Sequence, residues 1–474
     1  MIGVPGATPP NAPPRVIVIG LDSVSPALAF DVHRARMPFL SGMCARGAFG
    51  PLRSTDPPIT VPAWVSMTTG HGPAELGIYG FRKRLPGSYS LGLVAPSDLA
   101  HPRLWDLAAA AGLACAVVSV PLTYPPPALP GVYCTSCFLT PDATSPYAAP
   151  PELKEELEAL FGEHIVDVAA HRSGDAARLL AECLAMTRQH FAILRHLIAT
   201  RAPAFAMIVD LGPDRLHHGA LRHALPSHPL HEPGSPLARA AADYYASLDE
   251  EIALTAAAAG PDAIVLVVSD HGVQPLKGSV CVNEWLIRDG YLRLLDEPRT
   301  PAPLGECRVD WSRTRAFGEG GYHSRIFFNV AGRDPHGVVD PARLDAEREE
   351  LRARALALRG PSGERLDTRA ATPEELYGTS RCKGFPPDLT VYWDRLGLRS
   401  AGSVGHGALF LEGNDRGPDD ANHDFEGIFA IAGCGAPNAG RIDGLRVEDV
   451  FSTVAAALGI EAPVGIVGRP VLDL

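Results

Sequence analysis

The sequence predicts an α/β protein whose central sheet is mostly parallel and is flanked by helices. Three long apolar runs, over residues 16–21, 204–209 and 263–268, carry this prediction. Runs rich in valine and isoleucine are typical of strands that are buried on both faces of a parallel sheet. Each run is followed by aspartate or by a Ser-Asp-His triplet. Because open α/β sheets bind ligands at the carboxyl ends of their strands, we expect a polar site there.

Helical segments separate the predicted strands, which is the alternation that an α/β fold requires. The residues after the first strand are predicted to be helical as far as position 40. A helix over 175–200 leads into the second apolar run, and a helix over 240–259 leads into the third. The sequence also predicts a strand over 114–120 and helices over 105–113, 150–163 and 341–359.

The chain has 474 residues, enough for one large domain with a modest cap. Residues 1–14 are predicted to be a disordered, proline-rich tail, and residues 15–474 the domain itself. Segments 140–200 and 332–381 are candidates for the cap or for peripheral layers. No run of 18 apolar residues and no secretory signal is evident, so we expect a cytoplasmic protein without a membrane partner.

The formal net charge is -12, from 54 acidic and 42 basic residues. Proteins that bind nucleic-acid polymers usually show a basic face, so no such polymer is expected as a partner. A small anionic substrate is compatible with this charge, because a bound metal ion can dominate the local field. The sequence carries no indication of the oligomeric state.

Three aspartates and three histidines near the predicted strand ends form a candidate metal site. Asp214 and His218 are four residues apart, which places them on one face of a helix, although this spacing also occurs by chance. Asp270 and His271 directly follow a buried strand, whereas His423 has a solvated loop position as its alternative. Such a set could hold two divalent ions, and mixed nitrogen and oxygen ligands suit Zn²⁺, with Mn²⁺ as the second choice. The six residues are Asp22, Asp214, His218, Asp270, His271 and His423.

Thr60 is the candidate nucleophile. Pro62 follows it closely, and proline is favoured in the first turn of a helix, so Thr60 is predicted to lie at a helix N-terminus. The free N–H groups at such a terminus attract anions, and a metal ion can activate a nearby hydroxyl. The alternative is that Thr60 only caps the helix, and the two roles are compatible.

Four further residues are candidates for substrate contacts. Arg82 lies in an Arg-Lys-Arg stretch, and Lys277 follows the Asp-His turn closely. His323 and Arg325 follow a glycine-rich turn. A solvated surface position is the alternative for the basic stretch at Arg82.

Five short motifs occur in the order seen in the alkaline phosphatase superfamily. The sequence most resembles the type I phosphodiesterase/nucleotide pyrophosphatase branch, and within it a bacterial group described as predicted phosphohydrolases or phosphomutases. The resemblance runs from about residue 15 to the end of the chain. Its motifs are Asp22, Thr60-Val61-Pro62 with Thr68-Thr69-Gly70, Asp214-x-x-x-His218, Ser269-Asp270-His271-Gly272 and His423.

The resemblance implies an alkaline-phosphatase-like core with two zinc ions and Thr60 bridging toward both. It implies hydrolysis of a phosphate ester, chiefly a phosphodiester or a nucleotide pyrophosphate, through a phospho-threonine intermediate. The expected partner is therefore a small phosphorylated substrate. By the same resemblance, one zinc is held by Asp214, His218 and His423, and the other by Asp22, Asp270 and His271.

Two departures from related motifs bear on the substrate. Diesterases of the branch often carry an asparagine three residues after the nucleophilic threonine, where this chain has Ala63. Sulfatases of the superfamily carry an arginine where this chain has Trp64, which disfavours a sulfatase. A phosphomonoesterase or phosphomutase of the same superfamily remains an alternative. A non-catalytic protein that binds a phosphorylated ligand is the alternative from another class.

Overall fold

The computed structural model describes residues 15–378 and 382–473, so the predicted tail over 1–14 lies outside the described residues. The strands are, in chain order, β1 Val16–Leu21, β2 Ala48–Arg53, β3 Arg82–Arg84, β4 Leu91–Leu93, β5 Cys115–Val118, β6 Val132–Thr135, β7 Ala148–Ala149, β8 Phe205–Asp210, β9 Ile264–Val268, β10 Gly272–Pro275, β11 Gly278–Cys281, β12 Ala302–Pro303, β13 Ala316–Glu319, β14 Ser324–Phe328, β15 Arg369–Ala371, β16 Leu389–Tyr392, β17 Leu398–Ala401, β18 Ser403–Val404, β19 Phe410–Leu411, β20 Ala421–Asp424, β21 Glu426–Gly433, β22 Gly440–Arg441 and β23 Leu445–Arg446.

The α-helices are, in chain order, α1 Pro38–Arg46, α2 Thr60–Thr69, α3 Pro73–Leu76, α4 Leu104–Ala110, α5 Glu152–Phe161, α6 Ala176–Arg201, α7 Gly212–Ala224, α8 Pro236–Ala259, α9 Val282–Arg288, α10 Leu344–Ala357, α11 Pro373–Tyr377 and α12 Val447–Ala457. Among the residues that the structure describes, no helix is long and apolar enough to cross a membrane.

A ten-stranded, mostly parallel sheet forms the centre of the protein and confirms the predicted fold class. Its order is β22, β2, β21, β9, β1, β8, β5, β6 and β7, and β23 also pairs with β2. Strands β9, β1, β8, β5 and β6 run parallel to one another, and β21 returns antiparallel beside β9. The three apolar runs became β1, β8 and β9, and every residue of these strands is buried. Burial on both faces explains why their sequences do not alternate.

Helices flank this sheet in two groups. Helices α1, α6, α7 and α8 pack on one another, and α12 packs on α2 and α4. The segment after β1 is helical, as predicted, but it is broken into a π-helical turn Ala27–Val32, a short 3-10 turn Arg34–Arg36 and then α1. Pro38 is the first residue of α1, and a proline cannot continue a preceding helix because it lacks the N–H donor.

A second, smaller core lies beside the main one. It is built on the four-stranded sheet β13–β14–β16–β15, with α9 and α10 packed nearby. The two candidate cap segments differ in position. Helices α5 and α6 of segment 140–200 belong to the main core, and α6 packs directly on β5 and β8. The described part of segment 332–381 supplies α10 and β15 to the second core.

Candidate metal centre

Three neighbouring strands bring the predicted ligands together. Asp22 follows β1, Asp270 follows β9, and helix α7 with Asp214 follows β8. Strand β1 lies between β8 and β9, so these chain segments leave the sheet side by side. His423 arrives from a distant part of the chain on β20, which pairs antiparallel with β10 next to His271. Parallel strands thus collect side chains from widely separated positions at one edge of the sheet.

The first group of potential ligands consists of Asp22, Asp270 and His271. Their ligand atoms lie within 4.8 Å of one another, and all three residues are buried. The Nε2 atom of His271 lies 3.6 Å from Oδ1 of Asp22 and 3.3 Å from Oδ2 of Asp270. This group matches the set that the resemblance implied for one metal ion.

The second group contains Asp214, His271 and His423, again within 4.8 Å of one another. His271 thus belongs to both groups. His218 also faces Asp214, with 3.4 Å between its Nε2 and Oδ1 of the carboxylate, and Nε2 of His423 lies 3.7 Å from the same oxygen. All six predicted ligands therefore meet in one place, and the division of them between two ions stays a prediction.

Each of the three histidines is oriented through its Nδ1 atom. In every case Nδ1 donates to an oxygen, which leaves Nε2 directed at the site as a potential nitrogen ligand. Carbonyl oxygens accept from two of them and a carboxylate from the third. The pairs are His271 with Gly272 O at 3.0 Å, His423 with Pro58 O at 2.8 Å and His218 with Asp419 Oδ1 at 2.8 Å.

Each aspartate likewise has one oxygen anchored and the other free. The anchors are Trp64 Nε1 to Asp22 Oδ2 at 2.8 Å, the Ser23 N–H to Asp270 Oδ1 at 3.2 Å and Arg215 Nη1 to Asp214 Oδ2 at 2.6 Å. The remaining oxygens are buried and lack a hydrogen-bond partner, as does Nε2 of His423. Unpartnered buried polar atoms are costly, so their convergence fits a site built to hold cations.

The charges at the site indicate the same need for a cation. Burial raises the pKa of Asp22 and of Asp270 well above the ordinary value, and the neighbouring carboxylates raise it further. Burial lowers the pKa of His271 to about 4, so its ring is neutral near pH 7 and can donate a lone pair. Divalent ions between these groups would replace carboxylate repulsion by attraction.

Two features of the backbone after β1 support the first group. A Cβ at Gly20 would lie 2.4 Å from Cη2 of Trp64, so only glycine lets the indole approach and reach Asp22. Ser23 has φ of 68°, a left-handed conformation that is strained for a residue with a side chain. This turn directs the Ser23 N–H toward the Asp270 carboxylate.

Thr60 is the first residue of α2 and lies beside the candidate ligands. Its neighbour Ile59 is the cap residue, and no side chain caps this helix. The Thr60 hydroxyl, in a residue that is 4% exposed, lies 3.5 Å from Nε2 of His271. Thr60 is therefore not the capping residue, and its hydroxyl is directed at the candidate metal centre. The first N–H groups of α2 have no partner within the helix and are available to an anion.

The fold and the site can be compared with known proteins. The model of the type I phosphodiesterase / nucleotide pyrophosphatase family matches residues 16–419. The chain belongs to this family. The family lies in the alkaline phosphatase superfamily, as the sequence motifs predicted. No curated protein matches the chain.

Solved structures of two kinds share the fold of this phosphodiesterase-family chain. Phosphonoacetate hydrolase from Sinorhizobium meliloti 1021, solved with phosphonoformate, is 20% identical with a TM-score of 0.61 over 94% of this chain and 96% of that one. Human ectonucleotide pyrophosphatase / phosphodiesterase 5 is 14% identical with a TM-score of 0.60 over 97% of this chain and 99% of that one. An inactive threonine-to-alanine variant of the murine protein, in complex with AMP, is 13% identical with a TM-score of 0.60 over the same shares.

A cleft of about 1110 Å³ lies next to the metal centre of this family member. It is lined by Ile59, which precedes Thr60, and by Tyr322, whose ring stacks on that of His423 at 3.5 Å. Of the four predicted substrate contacts, Arg82, His323 and Arg325 line this cleft. Arg325 donates to the Arg82 carbonyl at 2.7 Å, and both ring nitrogens of His323 are buried without a partner.

The structure does not bring Lys277 to this site. Its ammonium group pairs with Asp394 at 2.8 Å, and its side chain is 61% exposed. Lys277 is not among the described residues that line the cleft. Strand β10 carries the chain away from His271 before Lys277 is reached, so closeness in sequence to a ligand did not produce closeness in space.

Four residues at the site were not predicted from the sequence as functional candidates. Asp419 orients His218, and Arg172 and Arg399 both bind Asp419. Tyr322 stacks on His423 and places its hydroxyl 3.5 Å from Nε2 of His218. The local signals were the glycine-rich sequence Gly320-Gly321-Tyr322 and the acidic pair Asp419-Asp420 shortly before His423. These residues lie far apart in the sequence, so only the fold determines which of them contact one another.

Proposed function

We propose that this protein is a two-metal phosphohydrolase that cleaves a phosphodiester or a nucleotide pyrophosphate with Thr60 as its nucleophile. The observation that carries the proposal is that the Thr60 hydroxyl contacts Nε2 of His271, in the same group of residues as the unpartnered atoms of three aspartates and His423. The inactive threonine-to-alanine variant of the murine relative, bound to AMP, supports both the nucleophile and the substrate class.

The six ligand residues would hold two divalent ions, most simply Zn²⁺, with Mn²⁺ as the alternative. When bound, such ions neutralise charge on a phosphoryl group and favour ionisation of a neighbouring hydroxyl. The assignment to zinc rests on the ligand chemistry, which combines imidazole nitrogens with carboxylate oxygens and includes no thiolate.

The residues of the chain divide the reaction into two displacements. The Thr60 Oγ1 atom attacks phosphorus, the new O–P bond forms, and the bond to the leaving oxygen breaks. The proton of the Thr60 hydroxyl ends on the leaving group. Water then attacks phosphorus, the O–P bond to Thr60 breaks, and a proton from that water restores the hydroxyl as the phosphorylated product leaves. The free N–H groups at the start of α2 are placed to donate hydrogen bonds to a phosphoryl oxygen during both steps.

The residues around Thr60 favour a diester over a monoester. Val61, Pro62, Ala63 and Trp64 follow it, so no basic side chain comes directly after the nucleophile. Arg215, the basic residue that contacts Asp214, is already paired with that carboxylate and with Asp167. A monoester carries the larger negative charge and usually requires an added positive group near the nucleophile.

One observation favours the alternative of a phosphomonoesterase or phosphomutase. Among the described residues, the cleft is lined by the arginines Arg82, Arg172, Arg325, Arg399 and Arg416. These side chains could compensate the additional charge of a monoester if they reached the reacting phosphorus. The relative kcat/KM for a diester and a monoester therefore decides between the two functions.

The test is a metal-reconstitution assay with matched substrates. The protein is stripped by a chelator, reloaded with Zn²⁺ or Mn²⁺ and assayed with bis-p-nitrophenyl phosphate, p-nitrophenyl phosphate and p-nitrophenyl sulfate. We expect metal-dependent turnover, a higher kcat/KM for the diester than for the monoester and almost no sulfatase activity. A monoester preference of tenfold or more, about 1.4 kcal/mol in transition-state stabilisation, would overturn the diesterase assignment. Equal activity in the stripped and the metal-reloaded protein would overturn the proposed mechanism.

A further inference from the structure

Two arginines meet on one buried carboxylate behind the metal centre. Oδ2 of Asp419 accepts from Nε of Arg172 at 2.9 Å and from Nη1 of Arg399 at 2.6 Å. Its other oxygen accepts from His218 at 2.8 Å. The Asp419 side chain is fully buried, and that of Arg399 is 7% exposed. The cluster thus joins a predicted ligand histidine to two cations from different parts of the chain.

This cluster carries an excess of positive charge. Asp419 supplies at most one negative charge, whereas the guanidinium groups of Arg172 and Arg399 supply two positive charges. Among the described residues, neither arginine has an ion pair with any other acid. Asp415, which also lines the cleft, is held by the Ser403 hydroxyl at 2.6 Å.

Each of the two arginines also has a side-chain nitrogen that lacks a hydrogen-bond acceptor. Nη2 of Arg172 and Nε of Arg399 are buried and have no acceptor in the described part of the chain. Buried guanidinium donors are normally satisfied, and bidentate binding of a carboxylate or phosphate is the arrangement that suits them best. An anion in the cleft would supply the missing charge and would offer acceptors to the parts of both guanidinium groups that line the cleft.

The position of the pair is next to the reacting centre and distinct from it. Arg172, Arg399 and Tyr322 all line the cleft. The Arg399 guanidinium carbon lies 4.5 Å from the centroid of the Tyr322 ring, and that ring stacks on His423 at 3.5 Å. Tyr322 therefore separates the guanidinium of Arg399 from the ligand histidine by roughly the thickness of one aromatic layer.

We infer that Arg172 and Arg399 form a subsite for a second anionic group of the substrate. This inference rests on the proposed function and narrows its substrate class to phosphoesters or phosphoanhydrides whose leaving group carries a carboxylate or a further phosphate. The reacting phosphoryl group would lie at Thr60, and the second anion would lie in the cleft beside Tyr322. The net charge of the chain is -12, so the positive charge of this subsite is a local feature. It favours the binding of anionic leaving groups over neutral ones.

The test is a binding experiment with ligands that differ only in the second anion. The metal-loaded Thr60→Ala protein, which removes the proposed nucleophile, is titrated by calorimetry with phosphonoacetate, 3-phosphonopropionate and 4-phosphonobutyrate. Each is compared with the alkylphosphonate of the same carbon number. We expect at least one carboxylate-bearing ligand to bind tenfold or more tightly than its partner. The best chain length would report the distance from the metal centre to the arginines.

Three variants in the same background then locate the effect. Arg399→Gln and Arg172→Gln should each reduce the preference for the carboxylate to less than threefold, while Arg399→Lys should retain most of it. Arg288→Gln is the control, because Arg288 lies outside this cleft and pairs with Asp289. Metal content is measured for every variant, since both arginines also contact the carboxylate that orients His218.

Two results would overturn the inference. The first is an unchanged preference for the carboxylate in both glutamine variants. The second is an equal loss of metal and of both ligand types, which would assign the arginines a positioning role through Asp419 alone. These results are distinguishable from failure of the proposed function. That failure would appear as a lack of metal-dependent turnover in the reconstitution assay, and the binding preference for the carboxylate could persist without it.

Discussion

At the scale of single residues, the hydroxyl of Thr60 has a proposed role in catalysis and no role in capping its helix. We expect Thr60→Ala to abolish turnover and to leave the metal content unchanged. Because Ile59 and not Thr60 occupies the cap position, the free energy of unfolding should change by less than about 1 kcal/mol. Single-turnover assays and urea unfolding measure the two effects. Thr60→Ser should keep partial activity and a trappable phospho-enzyme. Near-native rates in Thr60→Ala would mean that no covalent intermediate forms.

Asp419 offers a second test at this scale, because it contacts a ligand residue without being a candidate ligand itself. Burial opposes its ionisation, but His218 and Arg399 hold its pKa well below the ordinary range. Asp419→Asn should weaken metal binding about 10–100-fold at the site that includes His218 and less at the other. Asp420→Asn is the matched control, since that carboxylate pairs with Arg222 and contacts no ligand side chain. Equal weakening at both sites in a metal titration would contradict the predicted division of ligands.

At the scale of elements, the contact between β1 and α2 links packing to the metal site. Gly20→Ala would place a Cβ 2.4 Å from Trp64 and displace the indole from Asp22. We expect a loss of about 1–3 kcal/mol in unfolding free energy together with weaker metal binding. Gly413→Ala is the control, because a Cβ at Gly413 meets no atom within 4 Å. Unchanged metal affinity in Gly20→Ala would show that the Trp64 anchor is dispensable.

The same scale shows what the sequence could predict. Strands β1, β8 and β9 were recognisable because burial on both faces leaves an uninterrupted apolar run. The candidate ligands at their ends were recognisable for the same reason, since a polar residue directly after such a run lies at the carboxyl end of the strand. The position of Lys277 outside the cleft could not be predicted, because the turn of the chain after β10 cannot be derived from local composition. The roles of Asp419 and Arg399 depend on contacts that only the complete fold creates.

At the scale of the whole molecule, buried histidines outside the metal centre predict how stability depends on pH. His164 and His190 lie near each other in the helical layer, with ring centroids 5.1 Å apart, and each bonds a backbone carbonyl. Burial lowers the pKa of His164 to about 4 and that of His190 to about 3. The unfolded chain therefore binds protons near pH 6.5 that the native protein does not bind.

It follows that the free energy of unfolding should fall as the pH drops below about 6.5 and should continue to fall toward pH 4. Each of these histidines accounts for about 2 kcal/mol between pH 7 and pH 5, because one unit of pKa difference corresponds to about 1.4 kcal/mol. The measurement is urea unfolding at pH 7 and pH 5 for the wild type and for His190→Gln, whose amide can still donate to the Ile165 carbonyl. The variant should lose less stability on acidification, while the exposed His336→Gln should behave as the wild type does. If His190→Gln and the wild type lose the same stability between the two pH values, the native protein protonates His190 readily, and burial of this layer does not control its acid sensitivity.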